Sequence, residues 1–273
     1  MDRLAKLLIL AVSLIGVCAP AFAITEQVKS DGLDGDGHPG VVLIIMEVGG
    51  QPTYRCSGTL LTPTVVLTAG HCTNNYPGAP FTGMRIFTES DVQNGDNNYP
   101  FGGGNNTVEA VDWHAHPLYE TAPFYEHDVG VVILAEPVNL DQSQYGVLPG
   151  VDQLDSLKTR RGLQETTFTA VGYGLQRINP KFVEAEKIRM VAYPRLIQIG
   201  VPGFTGDASL LLSNNRSTGG TCFGDSGGPD FLGDSNVVAG VTSFGVNGNC
   251  AGTGGVFRMD RQNVQDFVNG YLQ

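Results

Sequence analysis

Three short stretches of this sequence hold residues that could carry out nucleophilic chemistry together. Ser226 stands in the run GDSGGP, where glycines on both sides leave the approach to its hydroxyl open. A serine hydroxyl needs a base to become a good nucleophile, and His71 in the stretch TAGHC is a candidate base. Asp128 precedes the apolar run VGVVIL, where its buried charge would need a donor such as an imidazole N–H. Backbone N–H groups at Gly224 and Ser226 would suit the oxyanion of an acyl transfer.

The order of these residues along the chain excludes two other classes of serine hydrolase. GDSGG also fits the G-x-S-x-G pattern of α/β-hydrolases, which place the acid and the histidine after the serine. Here all five histidines precede Ser226. The subtilisin-like order needs an acid before His71, and the acids there lie in a glycine-rich turn: Asp31, Asp34 and Asp36. The order His, Asp, Ser remains.

Together these stretches resemble the trypsin/chymotrypsin-type serine endopeptidases, over nearly all of the chain that follows a leader. CSGTLL at residues 56–61 and VLTAGHC at 66–72 match the strand and histidine loop of that family. Asp128 heads its HD-[IV]-[AG] segment, and TCFGDSGGP at 221–229 is similar to its nucleophile loop. Ser243-Phe244-Gly245 corresponds to the segment that lines its substrate cleft.

The resemblance implies a role for each residue of the candidate site. Ser226 would attack the scissile carbonyl, His71 would take and return the proton, and Asp128 would fix the imidazole tautomer. The amides of Gly224 and Ser226 would form the oxyanion hole, and Ser243 would support Asp128. The alternative is a catalytically silent relative that serves as a binding module, although such relatives usually lack a member of the triad.

Specificity is also predicted from the resemblance. The residue six before the nucleophile forms the base of the family's primary pocket, and here it is Gly220, with Thr221 beside it. Gly245 and Gly255 would form the walls, with Phe244 nearby. An uncharged, roomy slot favours Phe, Tyr, Leu or Met before the scissile bond through apolar burial.

The N-terminal residues predict export. Arg3 and Lys6 precede an apolar run at residues 7–17, and Ala21-Phe22-Ala23 is a small-x-small cleavage site, so residues 1–23 are predicted to be a signal peptide. Cys18 suggests a lipoprotein instead, but Val17 does not suit that signal. The protein is therefore expected to be secreted, without a membrane anchor.

The new N-terminus would begin Ile24-Thr25-Glu26-Gln27, where the family usually has Ile-Val-Gly-Gly. The resemblance implies that the Ile24 ammonium pairs with Asp225 and shapes the oxyanion loop. Signal cleavage alone would then activate the enzyme. The alternative is that this N-terminus does not insert and that activation works in another way.

Cysteine counting agrees with an oxidising compartment, because loss of Cys18 leaves four of the five cysteines. Four cysteines allow three pairings. The resemblance implies Cys56–Cys72 and Cys222–Cys250. Their spacing does not suit a zinc site, and we predict no metal ligand in the active site.

Length and composition favour an all-β protein. About 250 residues after the leader, rich in Gly, Val and Thr, suit many short strands and tight turns. The resemblance implies two packed antiparallel six-stranded β-barrels, at about 24–145 and 146–273 within one protease domain at 24–273. One amphipathic helix is predicted near the C-terminus, with Asp260 as its cap and an apolar face formed by Val264, Phe267, Val268, Tyr271 and Leu272.

Charge and loop composition limit the partners. A formal net charge of −11 without a basic cluster argues against nucleic acid and anionic membranes. Polypeptide substrates and protein inhibitors are the expected partners of a monomer. No cofactor is required by the chemistry. The loop at residues 94–106, with Glu89 and Asp91, is a candidate calcium site, although solvated acids explain it more simply.

Overall fold

The computed structural model describes residues 32–75, 78–121, 123, 125–158, 165–179 and 182–272. The predicted signal peptide and Ile24 lie outside the described residues. No helix in the described ranges has both the length and the apolar character that crossing a bilayer requires.

The first half of the described chain is a closed antiparallel barrel of six strands. The strands follow the order β1-β2-β3-β6-β5-β4 around the barrel. Their bounds are β1 (Val41–Val48), β2 (Gln51–Thr62), β3 (Val65–Thr68), β4 (Phe81–Phe87), β5 (Thr107–Ala115) and β6 (Gly130–Leu134). A single helical turn, α1 (Gly70–Thr73), follows β3 and carries His71.

The second half is a curled antiparallel sheet followed by a helix. Its strands are β7 (Phe168–Gly172), β8 (Arg177–Asn179), β9 (Phe182–Glu184), β10 (Met190–Ala192), β11 (Leu196–Val201), β12 (Gly206–Asn214), β13 (Pro229–Leu232), β14 (Val238–Gly245) and β15 (Gly252–Arg258). Seven of them form one sheet in the order β10-β7-β13-β14-β15-β12-β11, and β8 and β9 form a separate hairpin. Short 3-10 turns lie at Tyr119–Thr121, Gln142–Gln144 and Gln153–Leu157.

The apolar run of β1 explains how the two halves pack. Side chains of a strand alternate between its two faces. Val42 and Ile44 join a buried cluster with side chains of β2, β3, β4 and β6 inside the barrel. Val41 and Leu43 point the other way and join a cluster that includes Val171 and other residues of the second half. Both faces are buried, which is why β1 reads as a continuous apolar run.

The predicted all-β fold with a C-terminal helix is confirmed, and the first unit is the predicted six-stranded barrel. The second unit was predicted as another six-stranded barrel, and it is a curled sheet of seven strands with a separate hairpin. The helix, α2 (Gln262–Asn269), buries Val264 and Val268 as its periodicity predicts. The predicted Asp260 cap is wrong, because Arg261 occupies the N-cap position and makes no side-chain cap. Asp260 is instead fully buried, where it pairs with Arg258 and accepts a hydrogen bond from the Leu154 amide at 2.8 Å.

Candidate active site

His71 and Asp128 come together where α1 meets the start of β6. Asp128 is fully buried, and its Oδ1 accepts a hydrogen bond from the His71 amide at 2.9 Å. The ring Nδ1 of His71 lies 3.1 Å from Oδ1 and 3.0 Å from Oδ2 of the same carboxylate. Ser243 donates its hydroxyl to Oδ2 from β14, at 2.5 Å. The carboxylate therefore holds both the backbone and the ring of His71, with support from the second half.

The environment of His71 has two opposing effects on its basicity. Burial disfavours the protonated ring, while the Asp128 carboxylate attracts it and accepts its Nδ1 proton. The balance raises the pKa of His71 above its usual value. The side chain remains 25% exposed, so the ring is accessible from the solvent side. This arrangement suits an imidazole that gains and loses a proton.

Ser226 reaches this site because the nucleophile loop packs against the histidine loop. Gly227 has a φ of +79°, and a Cβ there would lie 2.0 Å from Thr68 Oγ1 and 2.7 Å from the Ala69 nitrogen. The Ser226 carbonyl accepts a hydrogen bond from the Ser57 amide at 2.8 Å. The described contacts include no hydrogen bond between Ser226 Oγ and His71. In ligand-free enzymes such bonds are often long and tighten on substrate binding.

The two predicted oxyanion-hole amides belong to the same tight loop. Gly224 has a φ of +99°, a backbone conformation that favours glycine. Its carbonyl accepts the hydroxyl of Ser57 at 3.0 Å, so its position is fixed from the first barrel. Neither the Gly224 amide nor the Ser226 amide donates a hydrogen bond within the described part of the chain. Both donors remain available for an oxygen atom.

Asp225 lies behind this loop in a fully buried position. Its carboxylate accepts hydrogen bonds from the amides of Gly174 at 2.7 Å and Cys222 at 2.9 Å. Burial outweighs these bonds and raises the pKa of Asp225 to about 7. A Cβ at Gly174 would lie 2.3 Å from Oδ2, so this approach requires glycine. A nearby cation would be needed to keep this carboxylate ionised at lower pH.

Sequence reasoning missed two contributors to the site. Ser57 donates to Gly224 and accepts a hydrogen bond from the Tyr173 amide at 2.9 Å, which joins the two halves. Asp230 is fully buried just after the nucleophile loop and accepts the Thr242 hydroxyl at 3.0 Å. Burial raises the pKa of Asp230 to about 8. The sequence signals that could have indicated these two residues were the position of Ser57 directly after Cys56 and the position of Asp230 directly after GDSGGP.

A cleft of about 350 Å³ opens beside Ser226 and contains most of the predicted substrate-binding residues. Its lining residues are Thr221, Cys222, Phe223, Ser226, Thr242, Ser243, Phe244, Gly245 and Cys250. None of these side chains is charged at neutral pH. The disulfide Cys222–Cys250 forms one side of the cleft.

Two predicted pocket glycines do not line this cleft. A Cβ at Gly255 would lie 2.3 Å from the ring of Phe244, so that ring covers the glycine. A Cβ at Gly220 would lie 2.3 Å from the buried amide of Asn214. Asn214 donates from Nδ2 to the Thr221 carbonyl at 2.6 Å, and its Oδ1 has no partner among the described residues. The region behind Thr221 therefore holds a neutral amide rather than an acid.

Metal-ligating side chains converge at one place among the described residues, at Cys56, His71 and Cys72. Both cysteines are consumed in the predicted Cys56–Cys72 disulfide. In the candidate calcium loop, Glu89 accepts hydrogen bonds from the Asp96 amide and from the side-chain amide of Asn106. Donors of this kind occupy the lone pairs that a cation would use.

The fold and the site together define a class of protein. A closed β-barrel and a second β-sheet that bring a histidine, a buried aspartate and a loop serine to one junction are the arrangement of the two-barrel serine endopeptidases. The predicted disulfides, Cys56–Cys72 and Cys222–Cys250, are both present.

Comparisons with known proteins identify the family. Residues 37–268 match the family model described as Trypsin. Brachyurin from Leptuca pugilator is 30% identical over 201 residues, which cover 72% of this chain and 78% of the relative. The chain belongs to the trypsin family and is a serine endopeptidase.

Two solved protease structures have a fold similar to that of this chain. HL collagenase superimposes with a TM-score of 0.65 at 21% identity, covering 86% of this chain and 94% of that structure. The VesB protease of Vibrio cholerae gives a TM-score of 0.61 at 18% identity, covering 87% of this chain and 65% of that structure.

Proposed function

We propose that this protein is a secreted endopeptidase that cleaves peptide bonds through an acyl-enzyme formed on Ser226. The observation that carries the proposal is the buried Asp128 carboxylate, which holds His71 by its amide and its ring nitrogen. Ser226 attacks the scissile carbonyl while His71 takes the hydroxyl proton, and His71 then protonates the leaving amine. Water attacks the acyl-enzyme in the same way, and release of the acid restores Ser226.

The remaining parts of the mechanism are electrostatic. The amides of Gly224 and Ser226 donate to the oxyanion, which stabilises the tetrahedral intermediate more than the ground state. Asp128 keeps the Nδ1 proton in place, so that Nε2 is the basic nitrogen, and the Ser243 hydroxyl supports Asp128. Each step uses side chains and amides of this chain, with no metal or organic cofactor.

Labelling with a fluorophosphonate probe tests this function directly. The probe reacts with a serine only when the serine is activated. We expect stoichiometric labelling of the mature protein and none of the Ser226→Ala variant. A folded, correctly processed protein that fails to label would instead support the catalytically silent binding module.

We also propose that large apolar residues are preferred immediately before the scissile bond. Support comes from the uncharged lining of the cleft and the neutral amide of Asn214 behind Thr221. Burying Phe, Tyr, Leu or Met in such a slot contributes about 1.5–3 kcal/mol.

The preference can be measured with matched peptides that differ at this one position. We expect kcat/KM for Phe, Tyr, Leu or Met to exceed that for Ala by about ten- to a hundredfold, which corresponds to the burial energy above. A clear preference for Arg or Lys would mean that an acid reaches the pocket and that the assigned base is wrong.

Activation is proposed to follow from signal cleavage alone. The ammonium of Ile24 would then pair with Asp225, whose pKa burial raises to about 7 and which needs a cation to stay ionised. Removing one partner of a buried ion pair costs about 3–5 kcal/mol. Asp225→Asn should therefore lower kcat/KM by more than a hundredfold. Asp234→Asn, at an exposed acid, is the matched control.

N-terminal sequencing of the active enzyme provides the second measurement. We expect the sequence to begin at Ile24. An active enzyme that begins well after Ile24 would contradict the propeptide-free route, and an unchanged rate in Asp225→Asn would contradict the ion pair itself.

Secretion agrees with the two disulfides, which form and persist in oxidising compartments. Polypeptides are the substrates that the family implies. We propose that the enzyme acts outside the cell as a monomer and that protein inhibitors can bind the same cleft.

A further inference from the structure

Arg55 lies against the loop that carries the oxyanion-hole amides. It belongs to β2 and directly precedes Cys56. A Cβ built on Gly224 would lie 2.8 Å from Nε of Arg55 and 3.4 Å from its Cζ. The guanidinium therefore packs over Gly224, next to the place where the scissile bond would sit.

Lys187 brings a second positive charge to the same region. Its Nζ lies 5.7 Å from the ring centroid of Tyr99, and Tyr99 lines a cleft with Arg55. Burial and then the positive charge of Arg55 lower the pKa of Lys187. The cleft has a volume of about 320 Å³ and is lined by Ile45, Pro52, Thr53, Tyr54, Arg55, Tyr99 and Pro100.

Neither cation has a carboxylate partner among the described residues. The polar contact of Arg55 is a long one, from Nη1 to the Ala185 carbonyl at 3.4 Å. Glu186 attracts Lys187 without forming an ion pair, and Asp225 is buried behind Gly224. Six of the eight other described basic side chains are ion-paired: Arg85, Lys158, Arg177, Arg189, Arg258 and Arg261. The two others, Arg195 and Arg216, are exposed, whereas Arg55 and Lys187 are half-buried. In a chain with 27 acids and 16 Lys and Arg residues, two neighbouring cations without carboxylate partners are unusual.

The location of the cleft lined by Arg55 assigns it to the leaving-group side of the scissile bond. The acyl-side cleft is lined by Phe223 and Ser226, and it shares no lining residue with the cleft of Arg55. Arg55 lines one cleft and lies against Gly224, which is two residues before Ser226 in the lining of the other cleft. An extended peptide advances about 3.3 Å per residue. A side chain one or two residues beyond the scissile bond therefore comes within reach of the guanidinium.

We propose that Arg55 and Lys187 form a carboxylate-binding subsite that selects substrates with Asp or Glu at the first or second residue after the scissile bond. The subsite rests on the proposed function, since it acts on the leaving group of the same reaction. A guanidinium offers a fork of donors to a carboxylate, and Lys187 adds charge beside it.

A second role for Arg55 would have a different kinetic effect. Its charge also favours the ionised form of Asp225 across Gly224. If that were its main role, loss of Arg55 would lower kcat for every substrate equally. A carboxylate subsite lowers kcat/KM only for substrates that carry the acid.

The experiment compares matched quenched peptides with Glu or Gln at the first or second position after the scissile bond. The test variants are Arg55→Gln and Lys187→Gln. Arg195→Gln is the control, because Arg195 is exposed and lies in the second half, where its backbone forms a β-bridge with Thr167. We expect wild type and the control to prefer Glu at one position by about fivefold, the upper end for a partly exposed ion pair. Both test variants should reduce this ratio to near one, and added salt should reduce it in wild type.

The outcomes separate the subsite from the proposed function. A wild-type ratio near one at both positions, a ratio that survives either substitution, or an equal loss for both peptides in Arg55→Gln overturns the subsite. Absence of hydrolysis with every peptide rejects the proposed function alone. In that case the Kd values of the Glu and Gln peptides are measured for Ser226→Ala, with and without Arg55→Gln. The ratio of the two Kd values then tests the subsite in the same way.

Discussion

Ser226→Ala is expected to lower kcat by about 10⁶-fold, the loss measured for the nucleophile of a serine protease of another fold. The substitution removes covalent catalysis, and His71 then has no hydroxyl to deprotonate. The fold should persist, because the described bonds of Ser226 are made by its backbone carbonyl. The measurement is peptide hydrolysis by the purified variant, with the melting temperature as a control for folding.

Contamination by another protease sets the smallest residual rate that can be assigned to the Ser226→Ala variant. A variant that keeps more than a few per cent of the wild-type rate, while failing to bind the fluorophosphonate probe, would contradict the assignment of Ser226. Ser235→Ala is a matched control, because Ser235 lies in an exposed turn near the end of β13 and its loss should leave the rate unchanged.

Asp128→Asn should have the second largest effect, about 10⁴-fold on kcat. An amide at this position can donate to Nδ1, which leaves the proton on Nε2 and makes that nitrogen unable to accept the serine proton. The Ser243 hydroxyl that now donates to Oδ2 at 2.5 Å would not correct this tautomer. Ser243→Ala provides a graded comparison, with a much smaller loss, since the carboxylate remains.

The pH dependence provides a further readout for the same variant. In wild type, kcat/KM should fall as the pH drops through the pKa of His71, because the protonated imidazole is no longer a base. Asp128 raises that pKa by attraction and hydrogen bonding. The acidic limb of Asp128→Asn should therefore lie at lower pH than that of wild type. An unchanged limb would mean that Asp128 does not act on His71 as its geometry indicates.

The sequence was sufficient to predict those parts of the fold and the site whose geometry is determined within one short stretch. The Gly-flanked serine requires the positive φ angles found at Gly224 and Gly227. The apolar run after Asp128 forms β6 and buries the acid at its start. The period of the C-terminal segment gives α2, which buries Val264 and Val268 as predicted, whereas Tyr271 and Leu272 lie after the end of the helix.

Features that depend on distant residues could not be predicted in this way. Arg55 and Lys187 are separated by about half of the chain, and their proximity follows from the packing of the two halves. The ring of Phe244 covers Gly255 because the pairing of β14 with β15 shifts register between Thr242 and Phe244. The prediction of an Asp260 cap failed because Arg258 and the Leu154 amide compete for that carboxylate.

The proposed catalytic residues are divided between the two halves, so activity should depend on the docking of one half against the other. His71 and Asp128 come from the barrel, whereas Ser226 and Ser243 come from the second half, and the contacts that align them cross the junction. A chain whose halves are folded but apart has no assembled nucleophile. Such a chain would cleave neither its own unfolded segments nor those of its neighbours. Active-site titration should therefore count only the molecules whose two halves have docked.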